Sequence, residues 1–181
     1  MGGDGDLVLR LRAGDAGAFA EVYARYRARL LGFLARMARE PALAEDLMQE
    51  TWLRLAAAAP GLAPDSDLGA WVFTVARNVH ASHRRWRLLD GRRRGLAASG
   101  APREDPHGPH AHAEADEARR RLEAAVGALP PADREVLLLV SVERLEPGQA
   151  AEVLGISAEA ARQRLARARA ALRAALDGGD T

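Results

Sequence analysis

Apolar residues in this chain return at steps of three and four and do not alternate, which is the period of a helix and not of a strand. The clearest stripe runs through Ala16–Met37, where Phe19, Val22, Tyr23, Tyr26, Leu30, Phe33, Leu34 and Met37 predict the buried side of a long helix. Leu7–Ala13 predicts a short amphipathic helix before it, ended at Gly14-Asp15. Pro41 breaks the chain, and Ala42–Ala58 resumes the pattern with Leu43, Leu47, Met48, Trp52 and Leu55 on one arc. A connector rich in Ala, Pro and Gly follows, and Ser66 or Asp67 can cap the next helix. That helix, Leu68–Arg87, sets Leu68, Trp71, Val72, Val75, Val79 and Trp86 on one side. β-branched residues are few and no strand-like run is bounded by turns, so the expected fold is all-α.

Periodicity then stops. Gly95–Ala115 is rich in Gly, Pro, Ala and acids and reads as a flexible linker. Beyond it the pattern predicts helices at Asp116–Ala128, from Pro131 or Ala132 to Val142, at Pro147–Leu154 and at Ala158–Leu176. Val136, Leu137, Leu139 and Val140 serve the packing of the second of these. Gly155-Ile156-Ser157 is a tight turn: Gly155 suits a left-handed helix end and Ser157 the cap of the last helix, with Glu159 complementing its dipole. A short helix, a glycine turn and a longer Arg-rich helix read as a helix-turn-helix, with an ordinary αα-hairpin as the other reading of the same pattern. The expected organisation is a helical domain at 1–94, a linker at 95–115 and a helix-turn-helix domain at 116–181.

The polar faces carry the candidate chemistry. In Ala42–Ala58, Asp46, Gln49 and Glu50 fall at i, i+3 and i+4 and form one acceptor-rich patch, with Leu53 as an apolar residue inside it. That patch fits cationic side chains of a partner helix; the other reading is an ordinary solvated face whose acids complement the helix dipole. In Leu68–Arg87, Thr74, Arg77, Asn78, Arg84 and Arg85 lie roughly opposite the apolar side with no carboxylate among them. Arg for phosphates and an amide for a base edge suit a nucleic acid strand; a solvated Arg-rich face has the same composition. On the last helix Ala161, Leu165, Ala168 and Leu172 face inward, and Arg162, Gln163, Ala166, Ala170 and Arg173 face outward, flanked by Arg164, Arg167 and Arg169. Arg162 and Gln163 can pair bidentately with guanine and adenine, and small residues at 166 and 170 let the helix lie close in a major groove.

Composition refines this picture. The formal charge is only +1, but Met1–Gly95 carries 15 Arg against 11 acids, Leu96–Ala118 one against five, and Arg119–Thr181 ten against nine. Local patches therefore matter more than the sum. There is no Lys, and Asn78 and Ile156 are the single Asn and Ile, a bias in which a retained Asn stands out. With no Cys there is no disulfide, Cys-based zinc site or thiol switch. No apolar run has the length of a membrane span and no signal peptide opens the chain, so a cytoplasmic protein without membrane insertion is expected. His107, His110 and His112 lie within six linker residues, but no second ligand cluster accompanies them; neither a metal nor a cofactor is expected.

Ala44–Leu55, Leu68–Arg87 with its Ala70–Asn78 core, and Ala128–Leu137 followed by Ala151–Ser157 and Arg164–Arg169 together resemble bacterial RNA polymerase sigma factors of the extracytoplasmic-function type. The first block is similar to region 2.2, the second to regions 2.3 and 2.4, and the third to region 4. The resemblance spans nearly everything outside the linker and termini. It implies that Asp46, Gln49, Glu50 and Leu53 dock on core RNA polymerase at the β′ clamp helices, with the β flap as a second contact. It implies that Thr74, Arg77, Asn78, Arg84 and Arg85 bind the −10 element, Asn78 in the region that takes up a flipped base. Ser157, Arg162, Gln163, Arg164, Ala166 and Arg167 match positions at the −35 element of promoter DNA. An anti-sigma factor is the further implied partner. The chain departs from the family at Arg144, where Gly is usual, at Gln149-Ala150-Ala151 in place of Glu-Ile-Ala, and at Ala160-Ala161 in place of Thr-Val. Lost methylenes there are expected to thin the packing at about 1 kcal/mol each.

Two other classes stand beside this one. A free-standing helix-turn-helix regulator would use only the C-terminal part, as a dimer on duplex DNA, and would leave the patch at Asp46, Gln49 and Glu50 without a role. An enzyme would need converging acids, bases or ligands, and the isolated His80 and His83 do not supply them.

Overall fold

The stripes read from the sequence become helices at nearly the expected bounds. The computed structural model describes residues 4–94 and 113–177, and among them every regular element is helical. The chain divides into two compact units, Met1–Gly100 and Ala101–Thr181. The first holds α1 (Asp4–Arg12), α2 (Ala16–Ala38), α3 (Pro41–Ala58) with a 3₁₀ turn at Ala59–Gly61, and α4 (Leu68–Arg94). The second holds α5 (Ala113–Ala128), α6 (Pro131–Leu137) running into a π turn at Leu138–Val142, α7 (Pro147–Leu154) and α8 (Ala158–Asp177).

Local chemistry sets the ends. The Asp15 carboxylate accepts from the Gly17 N–H at 2.7 Å and caps α2, while Arg10 donates to its other oxygen at 2.7 Å. Those contacts, Arg10 first, hold the Asp15 carboxyl below the usual carboxylate range. Of the two candidate caps for α4, Asp67 does the work, accepting from the Ala70 N–H at 2.6 Å. α3 and α6 start with Pro at the first helical position, where the missing N–H costs nothing.

In the first unit, α2, α3 and α4 pack on one another around Phe33, Leu30, Leu34, Leu55, Leu68, Val72 and Phe73, and α1 adds Leu7, Val8 and Leu11. Phe73 meets Phe33 edge-to-face at 5.4 Å and Tyr26 at 6.4 Å, and the Arg29 guanidinium lies over its ring at 5.6 Å. Burial raises the Tyr26 phenol above its ordinary range. Two expected core residues sit elsewhere. Tyr23 is at the surface, its ring 4.8 Å from that of buried Trp52, whose Nε1 has no hydrogen-bond partner. Trp86 is 59% exposed. It shares the helical angle of the buried residues, but every residue from Arg84 to Leu89 is exposed, so its last turns have outrun their packing partners.

In the second unit, α8 packs against α5, α6 and α7. Arg134 of α6 is 6% exposed and donates to three carbonyls at the end of α5: Val126 at 3.1 Å, Gly127 at 2.7 Å and Leu129 at 3.0 Å. One planar guanidinium thereby satisfies a helix terminus that would otherwise be orphaned. The capping box of α7 pairs Glu146 with Gln149, and Gly155 ends that helix at φ 62°, the left-handed end expected of it. Ala150, Ala151, Ala161 and Ala168 are all buried, so small side chains fill part of the helix-turn-helix beside Val153, Leu154 and Leu165. α5 begins at Ala113, inside the stretch expected as linker; 95–112, with His107, His110 and His112, lie outside the described residues. α4 likewise continues beyond Arg87 through Arg94, in a sequence of helix-favouring Leu and Arg.

Arg144, at the position where the resemblance leads one to expect Gly, adopts φ 59°, in the left-handed region. A side chain there strains the backbone by about 1 kcal/mol. Arg144→Gly is expected to stabilise the chain by about 0.5–1 kcal/mol in thermal or urea unfolding; a loss of stability would show that this turn is not strained. Arg134→Leu removes the clamp on α5 and is expected to cost about 2–4 kcal/mol by the same assay, because buried carbonyls lose their donors.

Candidate nucleic-acid interfaces

Three helices carry the residues singled out from the sequence, and in each the apolar side is buried and the polar side is presented. On α3, Ala44, Leu47, Thr51, Trp52 and Leu55 point inward, with the Thr51 hydroxyl closed on the Leu47 carbonyl at 2.6 Å. Asp46, Gln49, Glu50 and Leu53 are all exposed and share one face of an unbroken helix. Glu50 is paired with Arg54 at 2.7 Å, and Leu53 is 69% exposed, the most exposed large apolar side chain among the described residues. An apolar residue amid acceptors, open to solvent, is the make-up of an interface centre with a polar rim.

On α4, the buried set is Leu68, Val72, Phe73, Ala76, Val79 and His80. Thr74, Asn78 and Arg85 lie along the other side at helical spacing, with half-exposed Arg77 at its flank, while Arg84 returns to the angle of Phe73 and is exposed because α4 has passed its packing partners there. Arg85 Nη2 donates to the Ser82 hydroxyl at 3.0 Å, which leaves most of its guanidinium donors facing solvent. His83 and Trp86 form a tilted ring pair at 6.2 Å beside these arginines. The side chains of Arg92, Arg93 and Arg94 lie outside the described residues.

On α8, Ala161, Leu165 and Ala168 are buried and Leu172 is half-buried, while Arg162, Gln163, Ala166, Ala170 and Arg173 are exposed. The Ser157 hydroxyl accepts from the Ala160 N–H at 3.1 Å, so it caps the helix. Arg164 is half-buried, at the flank of the outward face. Arg167 forms a two-bond ion pair with Asp133 of α6, at 3.0 and 3.3 Å, the carboxylate side chain being 10% exposed and the arginine 60%. Its head group is thus fixed from behind and still open in front. Residues 34 positions apart make this pair, and no local spacing announces it. The other contact missed from sequence is at Glu159, whose two oxygens accept from Arg162 at 2.7 Å and Gln163 at 3.0 Å. Arg162 first, then Gln163, holds the Glu159 carboxyl below the usual carboxylate range.

Among the described residues no group of His, Asp and Glu is arranged to hold a metal ion, and no helix is long and apolar enough to cross a membrane.

Residues 22–87 match the sigma-70 region 2 family and residues 119–172 the sigma-70 region 4 family. The RNA polymerase sigma factor CarQ of Myxococcus xanthus is 36% identical over 86% of this chain and 87% of its own length. The RNA polymerase sigma factor CnrH of Cupriavidus metallidurans is 31% identical over 96% of this chain and 95% of its own. Among solved structures, that of CnrH in complex with the cytosolic domain of CnrY matches with a TM-score of 0.71 and 26% identity, covering 98% of this chain and 99% of that one. The sigma factor RpoE of Bartonella quintana, in complex with the anti-sigma factor NepR, shares the fold with a TM-score of 0.74 at 22% identity, over 88% of this chain and 96% of that one. Two helical units with buried apolar stripes, a helix-turn-helix in the second, and matches to both conserved sigma regions in the right order place this chain in the sigma-70 family, among the extracytoplasmic-function RNA polymerase sigma factors.

Proposed function

We propose that this sigma factor docks on core RNA polymerase through the outward face of α3, reads and opens the −10 element with the outward face of α4, and reads the −35 element with α8. The observation that carries this reading is the division of labour between the two exposed faces of the first unit. Asp46, Gln49, Glu50 and Leu53 make an acceptor-rich, partly apolar face on α3, whereas Arg77, Asn78, Arg84 and Arg85 make a cationic face on α4 with no carboxylate among them. The first would be repelled by a phosphate backbone and the second attracted to it. A free-standing regulator would leave the α3 face without a partner.

Each proposed role follows from chemistry. Arg77, Arg84 and Arg85 neutralise phosphates of the separated strand, and Thr74 adds a hydroxyl to that face. Asn78 offers both a donor and an acceptor to a base taken out of the stack, offsetting an unstacking cost of about a few kcal/mol. On α8, Arg162 and Gln163 meet base edges across the gap left by Ala166, with Arg164 and Arg167 on phosphates. Ser157 contributes by fixing the start of the helix. The reaction itself belongs to the polymerase, which has its β flap as a further contact for the second unit, so this subunit is proposed to act in the cytoplasm without catalytic chemistry of its own. By likeness to the sigma factor RpoE of Bartonella quintana, whose structure holds the anti-sigma factor NepR, an anti-sigma factor is proposed to cover these faces when transcription is off.

Asp46→Ala with Glu50→Ala is expected to weaken core polymerase binding by about tenfold or more with helicity unchanged; unchanged binding would remove the docking role from α3. Asn78→Ala is expected to slow promoter opening by about tenfold, followed by permanganate footprinting, with little loss of core binding. Normal opening would remove the base-binding role from Asn78.

A further inference from the structure

The reading face of α8 carries one carboxylate, and its position is unusual for a surface that approaches DNA. Glu159 lies in the first turn of α8 and is exposed, one helical turn before the two residues assigned to base edges. An unpaired carboxylate there would be repelled by the phosphates on either side of a groove. It is not unpaired: one oxygen accepts from Arg162 Nη2 at 2.7 Å and the other from Gln163 Nε2 at 3.0 Å.

The donor count shows that these bonds leave the readers able to read. A guanidinium has five N–H donors, so Arg162 keeps four, enough for a two-bond contact with guanine O6 and N7. The Gln163 amide keeps one N–H and its carbonyl oxygen, which is the set that adenine N7 and N6 require. Exposed Arg and Gln side chains otherwise sample many rotamers, and each must give that freedom up on meeting a base. Glu159 holds both from a single point on the helix, before DNA arrives.

We propose that Glu159 is a specificity-determining positioning residue of this sigma factor: it joins Arg162 and Gln163 into one preset donor–acceptor array that selects adjacent bases of the −35 element. The proposal rests on the assignment of α8 to that element. The carboxylate lowers the general attraction of the face for phosphate and raises the share of binding that depends on base identity. The same contacts, Arg162 first, hold the Glu159 carboxyl below the usual carboxylate range, so it stays an acceptor on both oxygens at physiological pH.

The test uses the full-length protein in holoenzyme with core polymerase, on a promoter it transcribes, with the −35 region randomised and the −10 element fixed. Transcripts are counted by sequencing for the unchanged protein, Glu159→Ala, Glu159→Gln, Arg162→Ala and Gln163→Ala. Arg162→Ala and Gln163→Ala are each expected to flatten the preference at one base pair. Glu159→Ala is expected to weaken both of those preferences together, by about tenfold in the ratio of best to worst base. Glu159→Gln keeps one acceptor oxygen and is expected to retain part of the preference. If Glu159→Ala leaves the profile unchanged while the other two flatten it, or lowers all promoters alike, Glu159 is not a positioning residue. If it alters only a base pair that neither Arg162→Ala nor Gln163→Ala affects, the array is refuted as well. If Arg162→Ala and Gln163→Ala themselves leave every preference intact, the −35 assignment of α8 fails and the proposal falls with it.

Discussion

Phe73 is fully buried where α4 crosses α2, its ring edge-on to Phe33 at 5.4 Å and Tyr26 at 6.4 Å, under the Arg29 guanidinium. Each aromatic pair adds about 0.5–1.5 kcal/mol to the area already removed from water. Their larger consequence is geometric, because a bulky ring locked on three sides fixes the rotation of a helix about its own axis. Once Phe73 is seated, the residues one and five positions on, Thr74 and Asn78, lie toward solvent, and Arg77 and Arg85 fall in line with them. A helix free to roll by one residue would bury charge and expose core. The cationic face of α4 is thus a product of packing on the other side of the same helix.

The second unit reaches the same end by polar means. Its core is rich in alanine, so fewer large side chains are available to hold α5, α6 and α8 in register. Adjacent residues of α6 supply what is missing: Arg134 clamps the end of α5 through three carbonyls, and Asp133 reaches α8 at Arg167. Both are charged and nearly buried, at 6% and 7% exposure, and both have all-important partners within hydrogen-bond distance, as buried charge requires. Together they tie the outward face of α8 to the rest of the unit, and Arg167 and Arg162 are each held by a carboxylate before any DNA is present.

Much of this was readable from the chain. Helix positions, the all-α class, the helix-turn-helix, the Gly155 helix end and the exposed face of each proposed interface follow from a single period and from turn chemistry. The family followed from three short blocks in the right order. What escaped the sequence depended on facts that no period encodes. Trp86 sits at a core angle but beyond the reach of its neighbours, and periodicity cannot say where a helix outruns its partners. Phe73 lies beside the stripe that the periodicity favoured, because the packed arc is turned past Val72 toward Ala76 and Phe73 and leaves Trp71 and Val75 only half-buried. The pair of Asp133 with Arg167 joins positions distant in sequence, and Glu159 shows a helix dipole residue on inspection of the chain but a shared hydrogen-bond partner of Arg162 and Gln163 only in three dimensions.

The central claim is that this chain lends promoter choice to a polymerase. Run-off transcription tests it most directly: purified full-length protein, sigma-free core polymerase and genomic fragments that include the region upstream of its own coding sequence. The account predicts discrete transcripts that require the protein and start a fixed distance downstream of paired −10 and −35 elements. Absence of transcripts together with absence of core binding would contradict it and leave the helix-turn-helix as a free-standing DNA binder.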